Sequence, residues 1–414
     1  MPKSVALLVL FVVLGLTACV DKSAAVGGFG TPVQQIALGH ESACVRDASN
    51  ELWCWGASGI FPGVPVAAGP GVDCVSPFVE LGGGGGFGTC VAPGPLPVDL
   101  GVSGNLVDVV VSNRGYALTS EDEIYVWPVR IDGCVGGQEC TEARRAASGL
   151  GITDLVAYQG GWCGLTAVGT GYCQYLLAND STHPTPDPIP GGHVIKALAT
   201  AGATYFVLDD TGHLWQGSFR RDTSASSEHY VPATALPWLP DETFTAVSLS
   251  NRFAAFDTPP ANIPGCAVST TGAVWCWGWN DLGQHGDGTF GPISGGVPVP
   301  SKVLLPAPAA EVSVGLLHTC ARSEDGRVFC WGSNFIGELG YTPSSTCSLP
   351  GLTIGCSATP AEVTSLPPSR RLHVSSHYSC AEAMDGSIRC WGTNASAQCG
   401  RARVSGSPPV RVDR

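Results

Sequence analysis

Charge is scarce in this chain: Asp, Glu, Lys and Arg make up 13% of its 414 residues. A long disordered protein needs the opposite balance, so the chain packs. Met occurs twice and Lys is rare. No helical periodicity lasts beyond a turn or two, which excludes a helical bundle. Basic runs are missing as well. The longest are the pairs Arg144-Arg145, Arg220-Arg221 and Arg370-Arg371, in a chain of net charge −13. A nucleic-acid surface needs clustered cations to displace counterions from phosphate, so nucleic acid is not an expected partner. There is no Gly-x-Ser-x-Gly elbow and no His-Glu-x-x-His zinc helix. His40-Glu41 falls inside the hairpin frame described below.

Gly (55 residues) and Pro (32) are abundant, alongside Val, Thr and Trp. That composition predicts an all-β protein with many turns. The N-terminus reads separately. Met1-Pro2-Lys3 is a short basic region, Ser4 to Leu14 is apolar but short for a bilayer span, and Leu16-Thr17-Ala18-Cys19 follows. The last run resembles a bacterial lipobox. The expected organisation is a lipoprotein signal peptide over residues 1–19 with Cys19 lipidated, a flexible tether over 20–30, and one folded unit over 31–414. The alternative is an ordinary cleavage site that precedes a Cys by chance. Val20, rather than Asp, after the Cys favours the outer membrane. The expected location is therefore exported and lipid-anchored in the cell envelope, where disulfides persist.

The chain has 18 cysteines. Five pairs share a separation of ten: Cys44 and Cys54, Cys163 and Cys173, Cys266 and Cys276, Cys320 and Cys330, and Cys380 and Cys390. Zinc ligands come as closer pairs, so no metal is expected. Midway between the partners lie Ala48-Ser49-Asn50, Ala167-Val168-Gly169, Thr270-Thr271-Gly272, Glu324-Asp325-Gly326 and Met384-Asp385-Gly386. A three-residue hairpin loop needs its third residue in the left-handed region, where Gly and then Asn fit best. Counting outward sets the cysteines opposite each other, within disulfide range. Five cross-strand disulfides are expected, each contributing about 2–3 kcal/mol at best because the loops are short. Tyr116 and Val126, and Phe206 and Gln216, fit the same frame without cysteine. Cys74 with Cys90, Cys134 with Cys140, and Cys347 with Cys356 can staple connectors. Cys399 is left as a buried thiol.

Seven such units at variable spacing predict a single seven-bladed β-propeller. Trp55, Trp277, Trp331 and Trp391 repeat at one strand position and are expected to pack between blades, and His318 is expected to be a structural hydrogen-bonder. Residues 312–340 extend the pattern through Asp325-Gly326, Cys330-Trp331-Gly332-Ser333-Asn334 and Gly337-Glu338-Leu339-Gly340. Related runs are Cys276-Trp277-Gly278-Trp279-Asn280 with Gly283-Gln284-His285-Gly286, and Cys390-Trp391-Gly392-Thr393-Asn394 with Ala397-Gln398-Cys399-Gly400. This resembles the regulator of chromosome condensation repeat family, in the cysteine-paired form of secreted bacterial proteins. The resemblance implies a seven-bladed propeller. It is weak in the second to fourth units; the fourth ends Trp215-Gln216-Gly217 and lacks the Trp-Gly spacing. At the chain's end, Pro408 to Val412 is expected to supply a missing strand to the first blade and close the ring.

Two further runs have partial site patterns. Asp281 to Thr289 has oxygen ligands and glycines but no terminal bidentate Glu, which argues against calcium. Asp210-Thr211-Gly212-His213-Leu214-Trp215 matches half of a sialidase Asp-box, with Leu208 in place of its Ser. No catalytic residue or cofactor is expected. The long connectors at 57–105, 175–193 and 341–360 are candidate binding loops. The expected function is non-catalytic: a monomeric binding or scaffold lipoprotein whose propeller face recognises a protein or glycan at the envelope, with the membrane engaged through the N-terminal lipid. The alternatives are an enzyme acting on a glycan or ester in the central channel, and guanine-nucleotide exchange, which the family resemblance implies.

Overall fold

The computed structural model describes residues 32–39, 42–58, 73–74, 90–112, 114–128, 143–158, 161–175, 186–189, 192–201, 204–222, 229–232, 236–238, 242–250, 263–291, 296–349, 351–394, 399 and 406–412. Cys19 with the N-terminal segment, and the pair Cys134 and Cys140, lie outside them.

Each of the seven expected hairpins forms. Their third loop residues all have positive φ: Asn50 (67°), Asp122 (58°), Gly169, Gly212, Gly272, Gly326 and Gly386. Asn50 and Asp122 are the non-glycine residues with positive φ among those described. The side-chain polarity that lets Asn and Asp tolerate this region puts them there. Register follows from the loop. Cys44 faces Cys54, Tyr116 faces Val126, Cys163 faces Cys173 and Phe206 faces Gln216. The same holds for Cys266 with Cys276, Cys320 with Cys330 and Cys380 with Cys390.

All five ten-residue pairs are disulfides, with Cα atoms 4.0–4.1 Å apart. Cys347 and Cys356 form a sixth, at 5.8 Å. Cys74 and Cys90 are backbone partners across two strands; their side chains lie outside the described residues. Cys399 is a buried thiol.

The strands form seven sheets, each built from consecutive strands in an antiparallel meander. The inner strands are Val33–Leu38, Leu106–Val111, Ile152–Tyr158, Ile195–Ala201, Phe244–Leu249, Ala309–Val314 and Ser369–Val374. Each packs against the inner strands before and after it, and the seventh packs against the first. The result is a closed seven-bladed propeller. Every inner strand carries a register shift at the same place, between Val33 and Gln35 in the first blade and between Ser369 and Arg371 in the last. Seven equivalent bulges bend the inner strands alike, consistent with their place at the rim of the channel.

The ring does not close as the sequence suggested. Gly406–Val412 pairs with Ile388–Gly392, so it is the outer strand of the seventh blade. The first blade takes its outer strand from Cys90–Val98, at the end of its own long connector. Among the described strands none is shared between blades. The seam closes through side chains: Tyr378 Oη donates to the carbonyls of Gly39 (3.1 Å) and Ser42 (2.8 Å), and Ser375 Oγ donates to Gly39 (2.5 Å). Val33, Ile36, Val45 and Trp55 share one apolar cluster with Tyr378, Ile388 and Val412.

Aromatic side chains fill the gaps between blades, and each faces a small or slender residue across its hairpin. Trp55 faces Ala43, Trp127 faces Gly115, Trp277 faces Gly265, Trp331 faces Thr319 and Trp391 faces Ser379. In the third and fourth blades the pair is exchanged. Trp162 comes from the second strand and faces Gln174, and Tyr205 faces Gly217. This exchange explains the missing Trp-Gly spacing of the fourth unit. Space is tight: a Cβ on Gly265 would sit 2.5 Å from Trp277 and Leu249. Gly265→Ala is therefore expected to cost about 1–3 kcal/mol through overpacking. A lowered urea midpoint checks this; an unchanged midpoint contradicts the pairing rule.

Candidate functional site: the propeller faces and the channel rim

The meander sorts the loops by face. The tight hairpins and the outer-to-inner connectors lie at one end of the blades. The inner-to-second turns and the third-to-outer connectors lie at the other. The described ends of the long connectors therefore leave and rejoin the blades on one face. The connectors of the first and sixth blades, and the third-to-outer connector of the fourth blade, extend as β-arms past the third strands. Asp73–Cys74 pairs with the start of Cys90–Val98, Phe219 to Asp222 pairs with His229–Pro232, and Ser345–Leu349 pairs with Leu352–Glu362.

The arm of the sixth blade is anchored. Cys347, Ile354 and Cys356 pack with Leu282 of the fifth blade, against Leu317, Phe335 and Leu352. The Asn334 amide donates to the Gly355 carbonyl at 2.8 Å. Ser345, Thr346 and Ser348 remain exposed.

The Trp-Gly-x-Asn and Gly-Gln-Leu-Gly runs form a strap between blades. Asn280 Oδ1 accepts from the His285 amide (2.9 Å), Asn334 Oδ1 from Leu339 (3.0 Å) and Asn394 Oδ1 from Cys399 (2.8 Å). The strap then accepts the next blade's indole. Trp331 Nε1 donates to the Gln284 carbonyl and Trp391 Nε1 to the Glu338 carbonyl, both at 2.8 Å. Gly286 has φ 69°, and a Cβ there would meet Trp331 Nε1 at 2.7 Å.

The oxygens weighed for calcium serve this loop. Asp281 Oδ1 accepts from Gln284 Nε2 (2.9 Å), and Asp287 Oδ1 accepts from the Thr289 amide (2.9 Å) and hydroxyl (2.6 Å). The Asp-box-like run is likewise a hairpin clamp. Asp209 accepts from Thr211, the His213 amide and Trp215 Nε1. His318 is buried and pairs through Nε2 with Ser379 Oγ across the blade seam (2.8 Å). Burial pushes its imidazole down to about 3, with His377 adding to the effect, so it stays neutral. Among the described residues no group of three or more His, Cys, Asp or Glu is placed to hold a metal ion.

At the hairpin end, side chains clasp one blade to the next around the channel. Inner strands are sheet edges, and their outward amides need acceptors. Gln35 Oε1 accepts from the Val109 amide (3.1 Å), Asp108 Oδ2 from Leu155 (2.6 Å) and Glu311 Oε2 from Leu372 (3.1 Å). Gln35, Asp108 and Glu311 occupy the same position, just after the bulge. Two residues further on, Ser248 Oγ accepts from Val314 (3.1 Å) and Ser313 Oγ from Val374 (3.0 Å). Sequence reading missed these clasps, because the bulge must be located before the equivalence shows.

The comparisons agree with this architecture. Residues 271–322 and 309–337 match the regulator of chromosome condensation (RCC1) repeat. In the crystal structure of Kap60 bound to yeast RCC1 (Prp20), the matching chain superposes with TM-score 0.66 at 15% identity, over 96% of this chain and 89% of that one. The chain is thus similar to the RCC1 repeat over residues 271–337, and its fold is the seven-bladed propeller of that structure. Prp20p from Saccharomyces cerevisiae gives TM-score 0.65, again at 15% identity, over 94% of this chain and 87% of that one. Regulator of chromosome condensation from Mus musculus is 46% identical over 66 residues, 16% of this propeller and 15% of that protein. The mitochondrial RCC1 domain-containing protein RUG3 of Arabidopsis thaliana is 31% identical over 240 residues, 53% of this propeller and 47% of that protein. The chain thus spans less than half the length of these curated relatives.

The clasps give a pH-dependent test. Burial raises the Glu311 carboxyl above its ordinary value, against the opposing pull of Arg322 and the Leu372 amide. The folded protein then holds this proton more tightly than the unfolded chain. Wild-type stability relative to Glu311→Gln should fall as pH rises from the unfolded carboxyl value, about 4.3, through the raised folded value. Urea titrations at pH 4 and pH 7 check this; a difference that grows with pH contradicts it.

Proposed function

We propose that this propeller is a non-catalytic binding or scaffold lipoprotein of the bacterial cell envelope. In this reading its N-terminal lipid engages the membrane, and the face carrying the β-arms engages a protein or glycan partner. The observation that carries it is that the described ends of the long connectors leave and rejoin the blades on one face, with one arm held rigid by the Cys347–Cys356 bond and its packing on Leu282. A pre-ordered loop loses less entropy on binding. The yeast structure supports a protein partner, since the yeast RCC1 (Prp20) there is bound to Kap60. The envelope location rests on the signal-like run ending at Cys19.

Two experiments test this. Cys19→Ser should move the protein from the detergent-extracted membrane fraction to the soluble or unprocessed pool. Unchanged fractionation removes the lipid anchor. Replacing residues 343–356 by a short Gly-Ser linker should leave the hairpin disulfides and far-UV spectrum intact. It should also abolish recovery of partners that envelope proximity labelling finds with the wild type. Equal recovery removes the face assignment, and turnover of a glycan or ester by purified protein replaces the reading with an enzymatic one.

A further inference from the structure

One clasp is reversed. At the seam between the seventh and first blades, the position held by Gln35, Asp108 and Glu311 at three other seams, and by Asp154, Ala197 and Ala246 at the rest, is Arg371, an exposed residue. A guanidinium cannot accept a hydrogen bond. The amide equivalent to those of Val109, Leu155 and Leu372 is that of Ile36, and the residue at the clasp position facing its blade carries only donors. Arg371 Nη1 donates to the Gln34 carbonyl at 3.0 Å. The same Gln34 uses its side-chain oxygen to accept from Arg46 Nη1 at 2.6 Å, and Arg46 Nη2 donates to the Val107 carbonyl at 3.1 Å.

Gln34 thus meets both guanidiniums, Arg371 through its carbonyl and Arg46 through its side chain, and each is bonded to neutral oxygens. Among the described residues neither has a carboxylate within salt-bridge distance. The nearby acids are committed elsewhere: Asp108 to Gln35 and the Leu155 amide, Glu311 to Arg322 and the Leu372 amide, and Glu382 to Arg370. Arg46 Nε is buried without a partner. Burial, countered by Asp108 and reinforced by Arg371, pushes the Arg46 guanidinium down.

The geometry points to an oxyanion site on the hairpin face, at the channel rim, formed by Arg46, Arg371 and the Ile36 amide, and taking one carboxylate, sulfate or phosphate group. Two guanidinium forks and a main-chain amide are donors suited to such a group. A charge-assisted ligand there would supply the acceptor that every clasped seam already has. The site lies opposite the β-arms, so its fate is separate from that of the partner-binding face.

Calorimetric titration of the full chain with sodium sulfate, phosphate and glucuronate, at matched chloride ionic strength, tests it. Saturable binding of at least one anion is expected, and comparing the three separates a phosphate or sulfate ligand from an acidic sugar. Arg371→Gln and Arg46→Gln should each weaken binding at least tenfold, while Arg327→Gln, at a distant hairpin paired with Asp325, should not. Should a variant fail to fold, crystals of the wild type soaked in tungstate decide. An anomalous peak between Arg46 and Arg371 supports the site. No saturable binding, equal affinity in Arg371→Gln, or a peak only elsewhere overturns it.

Discussion

Seven blades fill a ring only if each gap between them is plugged, and here the plug is one large aromatic facing a small or slender residue across a hairpin. The requirement concerns volume in the gap, not the strand that supplies it. Trp127 over Gly115 and Tyr205 over Gly217 solve the same packing problem from opposite sides. A Cβ on Gly115 would lie 2.1 Å from the Trp127 ring, and one on Gly217 would lie 2.2 Å from the Tyr205 ring. The small partner is thus as necessary as the large one. The strap adds direction, since Trp331 and Trp391 place their indole nitrogens on carbonyls of the preceding blade.

What was legible in the sequence is what is local. A ten-residue cysteine interval around a loop ending in Asn or Gly fixes turn type, register and disulfide together, and those hairpins form as expected. Asp122 shows that the frame holds without Gly or Cys. The exchange of Trp162 and Tyr205 to the second strand hid two blades from motif reading, because the motif records one strand's solution to a two-strand constraint. The first blade's outer strand was missed because a connector from residue 59 to residue 89 precedes it. With that strand unseen, the C-terminal segment looked like its replacement. The clasps were invisible for a different reason: Gln35, Asp108, Glu311 and Arg371 share no residue type, only a place after a bulge.

The channel edge carries a second constraint. Each inner strand has no further strand to pair with, so its outward amides must be satisfied by the neighbouring blade or by something outside the protein. Acceptors of three residue types do this between the first and second, second and third, and sixth and seventh blades. At the closing seam the polarity inverts. Arginines donate to carbonyls there, with Arg370 reaching Val33 and Arg371 reaching Gln34. Donor and acceptor roles have changed sides while the blade spacing is kept.

The six disulfides described all lie within single blades. They shorten the unfolded chain locally and hold each hairpin in register. Between blades they act only as buried apolar groups, packing with residues of a neighbouring blade, and none of them is a covalent link across a seam. The ring therefore depends on the aromatic plugs, the straps and the clasps, which are distributed over every seam and drawn from strand positions or from the turns beside them. This division leaves the third-to-outer connectors of the first, fourth and sixth blades free to lengthen, because a connector that begins after the third strand and ends before the outer one need not disturb the aromatic plugs. Stability and recognition are thereby assigned to different residues, and the arms can vary while the scaffold that presents them stays the same.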